Sequence, residues 1–148
     1  MPTLVRVLRQ EQVEGVAELG DEFMRSTGMP GRFNASHFIE TWTRLVQNPI
    51  FAIFSLVQGF QTIGSIGGIV YDENFTGDAV AAEQFWFVTK SCRGHGLRLL
   101  DAFEKWAREN GAKRILMAHI NSPESIRSAV VYKRRKYREL ETLFVKEL

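Results

Sequence analysis

A single cysteine, Cys92, stands among 148 residues; it excludes an intramolecular disulfide and fits a reducing compartment. Only three histidines occur, His37, His95 and His119. They are too dispersed to give a metal-ligand spacing, and no metal is expected. Charge of one sign is also scarce in excess: nineteen Lys and Arg against seventeen Asp and Glu leave +2. That balance excludes a general nucleic-acid or membrane binder, so any anion site must be local. No charged residue falls between Arg44 and Asp72, yet Asn48-Pro49, Gln58-Gly59 and Gln61-Thr62 interrupt the stretch. A bilayer-spanning helix needs about 20 mostly apolar residues, so two buried strands joined by a turn are the better account. Met1 to Arg6 meets a charge before a signal-length apolar run develops, and a cytoplasmic protein is expected. What remains is an ordinary globular mixture, 45% hydrophobic and 24% charged, expected to form one domain over residues 1–148 with a self-sufficient core.

Residues 3–8 alternate as a short strand, and Val13, Val16, Ala17, Phe23 and Met24 recur at helical spacing. Gly28 to Gly31, with Pro30, punctuate the chain before a second apolar stripe, Phe38, Trp42, Leu45 and Val46, with Asn34 or Ser36 as its cap. Phe51–Val57 and Thr62–Tyr71 flank Gln58-Gly59-Phe60-Gln61 as a hairpin, and Val80–Val88 reads as a central strand. The clearest helix spans residues 96–110 and is stopped by Gly111; Asp101–Lys105 and Glu104–Arg108 stand at i,i+4 along it. A strand over Ile115–Ile120, a helix to about Lys136 and a last strand, Tyr137–Leu148, complete the order βααβββαβαβ. That order predicts an α/β fold, a mixed β-sheet with helices on both faces.

A strand, then Ser91-Cys92-Arg93-Gly94-His95-Gly96, then a strong helix is a physical recipe for holding phosphate. Glycines allow a tight turn, unpaired N–H groups collect at a helix N-terminus, and Arg93 and Arg98 add full charge. The same residues also suit a solvated strand-to-helix turn. No Gly-Lys-Ser/Thr follows, so this is not a Walker loop, and the third glycine of a dinucleotide fingerprint is missing.

Phe85 to Ala107, with the loop between, resembles the acetyl-CoA-binding core of the GNAT N-acetyltransferase superfamily. The family's Gln/Arg-x-x-Gly-x-Gly/Ala corresponds to Ser91 through Gly96, with Ser91 in place of Gln or Arg, or to a register in which Arg93 takes the arginine role. Downstream, Ser125-Ile126-Arg127-Ser128-Ala129-Val130-Val131-Tyr132 resembles the family's Asn-x-x-Ala-x-x-x-Tyr, and Lys136-Tyr137 stands for its Gly-Phe. Ser125, Ser128 and Lys136 replace Asn, Ala and Gly.

The resemblance implies direct transfer of an acetyl group from acetyl-CoA to a primary amine on a small molecule or protein. It places cofactor contacts at Trp86, Phe87, Val88, Arg93, Gly94, His95, Gly96, Leu97, Arg98 and Ser125. It puts Tyr132 at the general-acid position, while Glu83, on the central strand, is the leading base, acting directly or through a water; partial burial would raise its pKa toward neutrality. His119 is a second candidate base, or a hydrogen-bonded structural histidine. Cys92 is an incidental turn residue, because direct attack by an amine needs no acyl-enzyme. The cluster Lys133-Arg134-Arg135-Lys136 suits a helix C-terminus and carries no nucleic-acid motif. Homodimers are common in the family, and the strand from Tyr137 is the expected contact. The alternative to an enzyme is an acyl-CoA-binding module of the same fold without efficient turnover.

Overall fold

The computed structural model describes residues 1–121 and 126–148. In chain order it contains β1 (Thr3–Arg6), α1 (Gln10–Ala17), α2 (Gly20–Thr27), α3 (Ala35–Leu45), β2 (Phe51–Gln58), β3 (Gln61–Asp72), β4 (Ala79–Val88), a 3₁₀ turn (Lys90–His95), α4 (Gly96–Glu109), β5 (Arg114–Leu116) and α5 (Ile126–Arg134). The five strands lie in sequence order; β1 to β4 are antiparallel and β5 joins β4 in parallel, which makes the sheet mixed.

Each face of the sheet is covered for a reason visible in the side-chain pattern. On one face Leu99, Phe103 and Trp106 of α4 pack on Ala52, Leu56, Ile66 and Ala81. This stripe recurs at helical spacing, and its burial supplies most of the helix's stability. On the other, Val13 and Val16 of α1, Trp42 of α3 and Val46 just after it meet Val7 and Ile53. Close approach of α4 depends on Gly68, where an added Cβ would stand 2.5 Å from Phe103 and 2.6 Å from the Ala82 carbonyl. The predicted signals at helix ends hold. Asn34 Oδ1 accepts from the His37 N–H at 3.0 Å, and Gly111 turns the chain at φ +78°.

Four expectations are corrected. The first helix is two, because the chain turns at Glu18-Leu19 and Gly20 then lies beneath the Phe33 ring. β5 stops at Leu116 rather than Ile120. Asp101 and Glu104 do not pair along their own helix; Arg135 bridges them at 2.6 and 2.7 Å, because α5 ends beside α4 and offers a planar fork suited to two carboxylates. Lastly, no strand forms over Tyr137–Leu148. Leu143, Phe144 and Val145 are consecutive instead of alternating, so a single buried face cannot collect them, and all three are exposed.

Candidate active site

Pairing between β4 and β5 is limited to Val80–Arg114, Ala81–Ile115 and Ala82–Leu116. Beyond it the two segments separate, and the β5-side main chain of residues 83–88 meets no strand among the described residues. At the same point β4 carries a bulge: Gly67 stands opposite Phe85 and Gly68 opposite Glu83, leaving Gln84 as the extra residue. A bulge re-aims the side chains that flank it. Glu83 therefore shares the α4 face with Gly68, while Phe85 points the other way, into Phe38 and Trp42 at 5.6 and 5.4 Å between ring centroids.

One residue, Ala118, joins the two predicted catalytic residues through the peptide groups on either side of it. Glu83 Oε2 accepts from the Ala118 N–H at 3.2 Å, and the Tyr132 hydroxyl donates to the Ala118 carbonyl at 2.9 Å. Burial raises the Glu83 pKa to about 7, although the Ala118 N–H favours the charged form and opposes the shift. Tyr132 is pushed well above the ordinary phenol range, by burial first and by the Glu83 charge second, and so remains protonated. Trp86 packs on Tyr132 at 6.0 Å, and its buried indole N–H has no hydrogen-bond partner among the described residues.

The turn after β4 differs from the sequence expectation in its geometry. Lys90–His95 winds as 3₁₀ and passes directly into α4, and neither Gly94 nor Gly96 has a positive φ. The tight-turn explanation for these glycines is therefore not realised. Nor does the protein's own packing require them: a Cβ at Gly94 would meet nothing within 4 Å, and one at Gly96 would make only ordinary contacts with Val88 and Trp86. His95 precedes α4 and Leu97 is exposed on its first turn. Arg98 donates to the Pro2 carbonyl at 2.7 Å, and thus ties α4 to the N-terminal segment. Phe87 and Val88 are buried, with Phe87 edge-on to Phe23 of α2 at 5.7 Å. Ser125 lies outside the described residues.

His119 is brought near the cleft but is exposed and shares a hydrogen bond with Ser128 at 3.0 Å; the strand alternation expected for it does not apply past Leu116. Two contributors went unread in the sequence. Glu22 of α2 accepts from the Lys90 N–H at 3.1 Å, a link across 68 positions with no local signal. Glu104 accepts from both Arg135 and the Tyr137 hydroxyl, at 2.7 and 2.8 Å, anchoring the end of α5. That end turns through Lys136 at φ +67°, and the Tyr137 N–H closes on the Tyr132 carbonyl at 2.9 Å. The tight ending survives with Lys in the glycine position, at a backbone cost.

Two cavities among the described residues bear on the site's surroundings. One of about 380 Å³ lies by β1 and the start of α1, at the sheet edge remote from β5. The other, of about 280 Å³, lies against α2, α3 and their connection and includes Met24, Phe33, Phe38 and Trp42; Phe38 and Trp42 are the rings that abut Phe85 of β4.

A strand that parts from its parallel neighbour, a bulge, and a helix starting at the parting point are the frame of an acyl-CoA transferase. The model of the acetyltransferase (GNAT) family matches residues 16–137, and the chain belongs to that family. Solved structures agree in fold. A predicted acetyltransferase of Clostridium acetobutylicum, crystallised with acetyl-CoA, superposes with a TM-score of 0.78 at 14% identity, over 99% of this chain and 96% of that one. The aminoglycoside N-acetyltransferase AAC(6')-Iy, bound to a bisubstrate analogue, gives 0.75 at 18% identity, over 100% and 98%. A ribosomal-protein-alanine N-acetyltransferase of Brucella melitensis biovar Abortus gives 0.73 at 13%, over 100% and 99%. Among curated protein sequences no relative matches the chain. The protein is an acetyl-CoA-dependent acetyltransferase by family and fold, and no helix among the described residues is long and apolar enough to cross a membrane.

Proposed function

We propose that the protein transfers the acetyl group of acetyl-CoA directly to a primary amine, with Glu83 as base and Tyr132 as the hydroxyl facing the departing sulfur. The observation that carries this reading is the shared residue Ala118, whose N–H and carbonyl hold Glu83 and Tyr132 at the opening between β4 and β5. The unpaired β4 main chain and the Trp86 indole N–H suit the amides and carbonyls of a pantetheine arm. Gly94 and Gly96, which nothing in the protein crowds, suit close approach of a diphosphate to the start of α4. Arg93, His95 and Leu97 flank that approach, while Arg98 serves it indirectly by fixing the helix.

The chemistry balances as follows. Glu83, in its carboxylate form, takes one proton from the incoming ammonium, directly or through a water. The free amine forms a C–N bond at the thioester carbonyl, and main-chain N–H groups of β4 stabilise the developing oxyanion. Collapse breaks the C–S bond; the nitrogen loses its second proton and the sulfur gains one. Tyr132, held protonated, turns its single O–H from the Ala118 carbonyl to the leaving thiolate. The net change is ammonium plus thioester to amide, thiol and one proton. The exposed apolar residues Leu143, Phe144 and Val145 support pairing of two copies through the chain end, as large uncovered apolar patches mark interaction sites.

The test is calorimetric titration with coenzyme A, followed by thiol release from acetyl-CoA across a panel of amines. Saturable binding with amine-stimulated release is expected. Binding without amine stimulation would leave the acyl-CoA-binding module as the correct reading, and no binding by folded protein would reject both.

A further inference from the structure

We propose that the acceptor is a primary amine with a flat apolar body and an anionic group, the body seated in the α2–α3 cavity and the anion on Arg32; this rests on the acetyltransferase reading above. The cavity of about 280 Å³ is walled by Met24, Phe33, Phe38 and Trp42, and its charge-bearing lining residues are Arg32 and His37, with no carboxylate. A multiply charged amine such as a polyamine or aminosugar gives up hydration on entering a site, and only opposing carboxylates offset that loss. Among the described residues none lines the cavity. Glu22, the acidic residue of α2 nearest the reacting strand, is engaged by the Lys90 N–H, and neither Asp21 nor Glu40 lines the cavity.

Arg32, by contrast, is exposed and makes no ion pair or hydrogen bond among the described residues. A guanidinium beside aromatic walls is the arrangement that takes a carboxylate or phosphate and stacks on a planar body. Position links this cavity to the chemistry. Phe38 and Trp42 rest on Phe85, and the bulge at Gln84 sends Phe85 to the α3 face and Glu83 to the α4 face. To react, the amine of a molecule seated against α3 must reach Glu83, on the other face of the sheet, through the gap that opens where β5 ends at Leu116.

The experiment titrates three probes into the full chain by calorimetry: phenylalanine, phenethylamine, which lacks the carboxylate, and spermidine. The same three are then assayed for thiol release from acetyl-CoA. Phenylalanine is expected to bind best, with kcat/KM roughly tenfold or more above spermidine, and Arg32→Gln should weaken phenylalanine roughly tenfold while leaving phenethylamine unchanged, as loss of one charged hydrogen bond implies. Spermidine binding as tightly as phenylalanine, no phenylalanine binding, or an Arg32→Gln effect shared equally by phenethylamine would overturn the proposal. Arg32-dependent phenylalanine binding in a protein that ignores coenzyme A would leave an anion site but overturn its role as acceptor site together with the acetyltransferase reading; coenzyme A binding with spermidine preferred would overturn the proposal alone.

Discussion

The two sides of β4 are built differently. Toward α4 and α5 the carboxylates and hydroxyls of the site are committed, Glu83 to the Ala118 N–H, Tyr132 to the Ala118 carbonyl and Glu104 to Arg135 and Tyr137, over a core in which Leu99, Leu100 and Phe103 are fully buried. Toward α2 and α3 the packing is aromatic, and the connection through Gly28 and Gly31 takes left-handed turns with open space around both glycines. The difference separates two tasks. A reacting centre needs fixed geometry, so it sits where hydrogen bonds and core packing over-determine each side chain; selecting an acceptor needs shape and charge, which a loop and two helix faces supply without disturbing that geometry.

The largest break in this contrast should come from Glu83→Gln, on the committed side. Turnover is expected to fall by roughly 10²–10³-fold with coenzyme A affinity unchanged, as for loss of a general base. The wild-type rate should rise with pH through about 7, where the carboxylate forms, and that limb should vanish in the variant. Stability gives an independent readout with its own sign. The folded pKa is raised to about 7 from 4.5, so the contribution of this group to stability is full below about pH 4.5 and declines as pH rises between those values. Glu83→Gln removes the decline, and chemical denaturation should show it more stable than wild type at pH 8 by on the order of 2 kcal/mol, with no difference from this source below about pH 4.5. An unchanged pH–rate profile would transfer the base role to His119.

Tyr132→Phe is the next largest. Removing the hydroxyl frees the Ala118 carbonyl and takes away the donor to sulfur; steady-state kinetics should show kcat lower by roughly 10–100-fold with the KM for acetyl-CoA little changed. A KM effect alone would make Tyr132 a packing residue. Gly96→Ala probes the turn: since the position has ordinary φ and room for a Cβ, thermal denaturation should show equal or slightly higher stability, by up to about 1 kcal/mol, while coenzyme A affinity drops roughly tenfold. Stability and affinity falling together would show that the glycine serves the fold rather than a ligand. The smallest effect belongs to Lys136→Gly, which relieves the left-handed Lys at φ +67° and should stabilise by about 1 kcal/mol without altering kinetics.

Apart from the division of the first helix into two, the order of strands and helices up to β5 follows from features a reader of the sequence can weigh locally. The hairpin at Gln58–Gln61, the Asn34 cap, the Gly111 stop and the α4 stripe are decided within a few residues of one another, where periodicity and turn chemistry act. The misreadings share a cause. Asp101 and Glu104 stand at good helix-pair spacing, yet a residue more than thirty positions away offers a better-shaped partner. The segment from Tyr137 contains strand-forming residues but finds no edge that pairs with it. Glu83 and Tyr132 were legible as candidates through residue type and family spacing, whereas their meeting at Ala118 depends on where β5 stops.

By itself, then, the sequence determined the helical or extended character of most segments before Leu116, which faces are apolar, and which side chains are chemically able to take or give a proton, because those properties reside in single residues and short periods. Only the tertiary structure decided that a one-residue bulge at Gln84 turns Glu83 toward α4 and Phe85 toward α3, that β5 ends early enough to open the sheet, and that burial holds the Glu83 carboxyl near neutrality. Register and desolvation are properties of elements brought together across the chain, and no local pattern encodes them.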